Sequence, residues 1–206
     1  MGRDGPLRPA RASRDDRGVR RADARDHSVI NSPAVARFDA AADRVLEPLR
    51  NNRAAAALFG AASTVGDFSI VWHVIGLVRA IGSVARLQEA LFLSCALGVE
   101  SLVVNQGVKR MFKRERPTAS GDDRFDIRTP STSSFPSGHA SSATCAAILL
   151  VGFAGLPWGL LFAALAMVVA LSRVVVRIHH LSDIIGGVVV GAFLGAVAVA
   201  VAGTIL

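Results

Sequence analysis

The chain has 206 residues, 51% of them hydrophobic, no tyrosine, and 23 basic against 16 acidic side chains, a formal net charge of +7. The charges are segregated: residues 1–53 hold 12 basic and 8 acidic side chains, residues 109–128 hold 7 and 4, and eight are left for all other positions. A soluble single-core domain carries about a quarter charged residues throughout, so this distribution excludes that class and a conventional nucleic-acid binder, and describes a polar tail, a basic loop and several membrane spans.

Residues 1–31 mix Arg, Asp, Gly and Pro with almost no apolar side chains. They cannot bury enough surface to offset the entropy of ordering, so a disordered basic tail is expected, its arginines either contacting anionic lipid headgroups or simply solvated. No apolar stretch follows the first basic residues, so the tail is not read as a cleaved signal peptide. Ser32-Pro33 is a helix start, with Ser as N-cap and Pro at the first helical position. Val35, Phe38, Ala42, Val45, Leu46 and Leu49 recur at helical spacing against Arg37, Asp39, Asp43, Arg44 and Glu47. The pattern predicts an amphipathic helix over 32–53 lying on the membrane surface, or else packed on the protein's own membrane part, and ended or kinked by Pro48.

From residue 54 to 206 the apolar runs reach membrane length, about 20 residues per helix. Ala54–Ile81 is interrupted by Asp67, expected to cap the start of its span. Further spans are expected near Gln88–Val108, Gly138–Leu156, Trp158–Val176 and Ile184–Ile205, giving five, or six if Ala54–Val65 crosses separately. The fold class is thus an all-α integral-membrane bundle. Cys95 and Cys145 lie in apolar stretches without CxxC spacing and read as buried small side chains, not a disulfide or zinc site. Gly186, Gly187, Gly191 and Gly195 form a small-residue stripe suited to close helix packing, either within the bundle or in a homo-oligomer. Arginine outnumbers lysine 21 to 2 amid abundant alanine, which points to a GC-rich bacterial genome and hence to a bacterial inner membrane.

Three polar clusters interrupt the apolar pattern. Lys109 through Pro117 sits at the exit of one span, Pro136-Ser137-Gly138-His139 at the entrance of the next, and Ser172-Arg173, His179 and Asp183 between the last two. Because successive spans alternate direction, all three fall on one membrane face. Lys109, Arg116 and Arg173 bring three cations to a low-dielectric edge, which calls for an anion, and the donor fork of arginine suits phosphate oxygens. Ser137 and Gly138 open a helix whose free N–H groups favour an anion as well. His179 and Asp183 are four apart, so in a helix the carboxylate holds one ring nitrogen and the other is free to attack phosphorus, while His139 can protonate a leaving oxygen. The cations already supply the charge stabilisation, so no metal or other cofactor is expected.

The spacing Lys109, Arg116-Pro117, then Pro136-Ser137-Gly138-His139, then Ser172-Arg173, His179 and Asp183 resembles the three-part signature of the type-2 phosphatidic acid phosphatase superfamily, the lipid phosphate phosphatases. The resemblance covers 109–183 and does not reach the first 53 residues. It implies metal-independent hydrolysis of a lipid phosphate monoester or pyrophosphate through a phosphohistidine. In that scheme His179 is the nucleophile, Asp183 its orienting partner and His139 the general acid, while Lys109, Arg116, Ser137, Gly138 and Arg173 bind the phosphoryl group. Substrates implied are phosphatidic acid, phosphatidylglycerol phosphate and polyprenyl phosphates or pyrophosphates. A vanadate-type haloperoxidase shares such a cradle but is large and soluble. The other class is a non-enzymatic lipid-binding or transport protein that kept the fold, whose sign would be loss of His139, His179 or Asp183. Arg110, Lys113, Arg114, Arg177 and His180 read as headgroup contacts or general positive field. Glu100, well inside its span with His73 and Asn105 also at depth, reads as paired with a polar group of a neighbouring helix. The basic tail predicts a cytoplasmic N-terminus, which with five spans puts the site on the cytoplasmic face and with six outside.

Overall fold

The computed structural model of the chain describes residues 29–120, 125 and 132–206. The expected tail lies outside these residues except for Val29–Asn31, which forms a short 3-10 turn tied to the basic loop by Asn31 Nδ2 donating to Lys113 O at 3.1 Å. All described elements are helical. Seven α-helices follow: α1 (Pro33–Asn51), α2 (Arg53–Val65), α3 (Ile70–Ala80), α4 (Val84–Leu102), α5 (Gly138–Ala154), α6 (Trp158–Val175) and α7 (Leu181–Ile205).

Helix α5 is the centre of the bundle, packed chiefly on α7 and α6 and then on α4. Its small side chains Ala140, Ser141, Ala143, Ala146 and Ala147 are buried and let neighbouring backbones approach. The glycine stripe resolves here: a Cβ on Gly187 would lie 2.5 Å from Ser137 O, one on Gly191 2.2 Å from Ser141 O, and one on Gly195 3.2 Å from Cys145 Cα. These three glycines therefore serve packing of α7 on α5 within the chain. Gly186 makes room instead for the Phe135 ring. Cys145 is buried as expected, whereas Cys95 is exposed on α4 because the bundle covers only the other side of that helix.

Three helices are long and apolar enough to cross a membrane: Val84–Met111, Trp158–Val175 and Leu181–Ile205. Arg53–Val65 and Asp67–Ala80 pass that test only as a pair bent by 66°, and the 17-residue Gly138–Ala154 is shorter than a full span. The bend falls at Phe68 and Ser69, both with left-handed backbone (φ 52° and 59°). Asp67 does not cap α3, whose first turn receives no side-chain hydrogen bond; its carboxylate turns to His139 instead. Val84–Met111 ends in a π-helical turn, Val103–Gly107, and a 3-10 turn, Val108–Met111, which carry Lys109 out of the regular helix.

Helix α1 begins as predicted, with the Ser32 hydroxyl accepting from Val35 N and Pro33 at the first position. It runs three residues past Pro48 to Asn51, because Asn52 N–H bonds to Pro48 O while the Asn52 side chain caps α2 through Ala54 N and Ala55 N. Packed on α6 and α7, α1 buries polar side chains and presents much of its apolar set outward: Asp39 and Arg50 are buried, while Phe38, Val45 and Leu49 are exposed. Arg50 donates to Val174 O and Val175 O at 3.1 and 2.9 Å at the C-terminal end of α6, where Val174 O also accepts from Arg177 N, and pairs with Asp43 and Glu47.

Candidate active site

The end of α4, the start of α5, the link between α6 and α7, and the α2–α3 bend enclose a cavity of about 680 Å³. Lys109, Arg116, Gly138, His139, Arg173 and His179 all line it, so clusters separated by up to 70 residues converge as alternating span direction requires. Lys109, Arg116 and Arg173 are buried, Arg173 to 1% exposure. Arg173 donates to Ser63 Oγ of α2, and Arg116 to Ile178 O, Thr132 O and Ser133 O at 3.2 to 3.3 Å. The Nε atoms of both arginines have no hydrogen-bond partner among the described residues. Buried guanidinium donors with unmet hydrogen bonds are what an oxyanion would satisfy. Ser137 caps α5, its hydroxyl facing Ala140 N at 3.4 Å, and Lys109 Nζ lies 3.5 Å from where a Cβ on Gly138 would stand. A side chain at 138 would therefore occupy the space beside the lysine.

His179 precedes α7 instead of sitting in it, since His180 is the N-cap. The expected i, i+4 helical pairing is thus replaced by a capping arrangement: the Asp183 carboxylate accepts from His180 N at 2.9 Å and the His180 side chain reaches back to the third helical position. From there Asp183 Oδ2 lies 3.4 Å from His179 Nδ1 and also accepts from Ser134 Oγ. Two backbone bonds to Arg173 O, from Ile178 N and His179 N, fix the link. On the other side of the ring, His179 Nε2 faces Arg116 Nη1 at 3.2 Å. Burial, opposed by the hydrogen bond to Asp183 and reinforced by the adjacent Arg116 and Arg173 charges, pushes the imidazole down to about 3. It is neutral at ordinary pH, with Nδ1–H directed at the carboxylate and the Nε2 lone pair toward the cations. His180 and Arg116 are also lowered, in both cases chiefly by burial.

His139 is held by two groups of the α2–α3 bend: Nε2 lies 3.0 Å from Asp67 Oδ1 and 3.3 Å from Ser63 O. Gly66 permits this approach, since a Cβ there would stand 2.8 Å from His139 Cδ2 and 2.9 Å from Val169 Cγ1. Ser63 and Asp67 therefore join the site from a segment outside the motifs; the charge interrupting an apolar run was the signal for Asp67. A second group behind the site is larger. Arg114, expected to meet headgroups, donates to Asp183 Oδ1, to Ser182 Oγ at 2.7 Å and to Asp39 Oδ2 at 2.5 Å. Asp39 also accepts from Ser182 N and Oγ at 2.9 and 2.7 Å. This buried network ties α1 to the carboxylate behind His179. Arg177 likewise has a protein partner, Asp43 at 3.2 Å. Glu100 faces Ser141 of α5 as expected of a neighbour pair, yet its Oε1 makes no hydrogen bond among the described residues.

Residues 89–205 match the PAP2 superfamily family model. The chain is 36% identical over 141 residues to the decaprenylphosphoryl-5-phosphoribose phosphatase of Mycobacterium tuberculosis, covering 68% of this chain and 77% of that protein. A protein of the same name from Mycolicibacterium smegmatis is 36% identical over 130 residues, 62% of this chain and 68% of that one. Among solved structures, the transmembrane PAP2 type phosphatidylglycerolphosphate phosphatase of Bacillus subtilis superposes with a TM-score of 0.64 at 22% identity, over 86% of this chain and 90% of that chain, which establishes a shared fold.

Proposed function

Since the chain belongs to the PAP2 superfamily and its relatives are phosphatases, we propose that this multi-pass membrane protein hydrolyses a lipid phosphate monoester or lipid diphosphate at the cavity formed by Lys109, Arg116, His139, Arg173 and His179. The reading rests on one observation above all: His179 held by Asp183 at Nδ1 and turned by Nε2 toward buried cations.

Lys109, Arg116, Arg173 and the α5 N-terminus hold the phosphoryl oxygens. His179 Nε2 forms a bond to phosphorus as the P–O bond to the leaving group breaks, and Asp183 stabilises the positive charge that develops on the ring. His139, oriented through Nε2 by Asp67 and Ser63 O, delivers a proton to the departing oxygen. The same imidazole then takes a proton from water, whose oxygen attacks phosphorus and breaks the P–N bond, releasing inorganic phosphate and neutral His179. The charge stabilisation in this scheme comes from the chain's own cations.

The names of the mycobacterial relatives make a polyprenyl phosphosugar carrying a terminal phosphate a substrate to test beside phosphatidic acid, phosphatidylglycerol phosphate and polyprenyl diphosphates. All three residues whose loss would mark a non-enzymatic descendant, His139, His179 and Asp183, are present. The test is phosphate release from these lipids in detergent with a chelator present. Wild type is expected to release phosphate and His179→Ala to lose roughly 10³-fold or more of that rate. Equal release by both would refute the nucleophile, and loss of activity with chelator would refute the metal-free route.

A further inference from the structure

The cavity wall that leads away from the cations carries several polar side chains although it is built from the apolar helices α3 and α4 and the turn that follows α4. Asn105 begins it: its Oδ1 stands 3.6 Å from the place a Cβ on Gly138 would take, beside Lys109 Nζ, and its Nδ2 donates to Ser101 Oγ at 3.0 Å. Farther along α4, Ser94 Oγ meets His73 Nδ1 of α3 at 2.9 Å, and all four side chains line the cavity. Glu100 lines it too. It is 2% exposed, its Oε1 has no hydrogen-bond partner among the described residues, and neither has the neighbouring Ser141 Oγ.

An apolar chain seated against this wall would leave Glu100 Oε1 and Ser141 Oγ without a partner, and a second phosphate would meet a carboxyl group. Hydroxyl groups suit it, because each can donate to Glu100 and accept from Asn105. We propose that Glu100, with Ser101, Asn105, Ser94 and His73, forms a subsite for a hydroxylated group attached directly to the scissile phosphate, so that the preferred substrate carries its phosphate on a sugar or polyol. The subsite rests on the reading of the cavity as a lipid phosphate hydrolase site. It selects monoesters of hydroxylated heads over phosphate placed directly on an apolar chain, and over diphosphates.

The experiment measures kcat and KM of the full chain in detergent on phosphatidylglycerol phosphate, phosphatidic acid and farnesyl diphosphate, for wild type and Glu100→Gln. Wild type is expected to favour phosphatidylglycerol phosphate by about tenfold in kcat/KM. Glu100→Gln should erase that preference through KM, leaving phosphatidic acid unchanged and improving the diphosphate. Loss by one common factor on all three substrates overturns the subsite, because Glu100 would then act through Lys109 or the fold. If Glu100→Gln does not fold, inhibition of the wild type decides: glycerol 3-phosphate should compete about tenfold more tightly than propyl phosphate, and equal inhibition overturns the proposal. Hydrolysis of all three lipids without preference refutes the subsite alone, whereas no release from any of them refutes the hydrolase reading beneath it.

Discussion

Gly191→Ala tests how closely the packing of α7 on α5 governs the site. The added Cβ would lie 2.2 Å from Ser141 O and 2.9 Å from Ser141 C and Cα. An ordinary carbon–oxygen contact is about 3.3 Å or more, so the helices must part by about 1 Å, and no flexible side chain is available to yield. Overpacking of this kind costs about 1–3 kcal/mol, only partly offset by the roughly 0.5–1 kcal/mol that alanine gains over glycine inside a helix. The same contact fixes the site, because Ser137 N donates to Asp183 O at 3.0 Å and thereby links the His139 end of α5 to the His179 end of α7. A misplacement of about 1 Å between reacting groups can cost roughly 10²-fold in rate. We expect Gly191→Ala to lower the unfolding temperature in detergent and to lower kcat by about tenfold to a hundredfold. Gly60→Ala is the control, since a Cβ there meets nothing within 4 Å, and it should be neutral or stabilising. Wild-type stability and kcat in Gly191→Ala would refute the close-packing argument.

His179 in the folded chain stays neutral down to about 3, against an ordinary value of 6.5, so the unfolded chain binds the extra proton first as pH falls. Its contribution to stability is complete above about 6.5 and declines toward 3; the unfolding temperature should therefore fall more steeply between pH 7 and pH 4.5 in wild type than in His179→Asn, and equal slopes would contradict the burial. Asp67→Asn should reduce kcat/KM, which reports phosphoryl transfer to His179 and not the later hydrolysis, by about tenfold to a hundredfold on a lipid phosphate and change it little on p-nitrophenyl phosphate, whose leaving group needs no proton; an equal loss of kcat/KM on both substrates would show that Asp67 does not help His139 protonate the leaving group. Arg114→Lys keeps one charge but cannot reach Asp39, Ser182 and Asp183 together, so it should lower kcat by about tenfold and make α1 more readily cleaved by limited proteolysis, whereas unchanged proteolysis would separate α1 from this network.

Residues close in sequence were legible because local rules decide them. Ser32-Pro33 and Ser137-Gly138 start helices where capping chemistry says they should, and the charged positions at span ends, taken with alternating direction, place Lys109, His139, Arg173 and His179 around one cavity. Asp67, Arg114 and Cys95 read differently in the structure because their surroundings come from elsewhere in the chain. The partner of Asp67 lies 72 residues on, at His139, and that pairing displaces a local cap. Arg114 finds Asp39 75 residues before it and Asp183 69 residues after it, so a charge fit for headgroups is drawn into the protein.

Composition and spacing alone determined that the chain is a helical membrane protein and in what order its cation-bearing and histidine-bearing segments come, since apolar run length and helix capping depend only on neighbours in sequence. Tertiary structure decided which charges pair, that three glycines of α7 pack inside the chain, that α1 turns Asp39 and Arg50 inward, and that Glu100 is left facing the cavity. Those outcomes depend on which helix faces which across the bundle, and a side chain's partner there is set by distance in space.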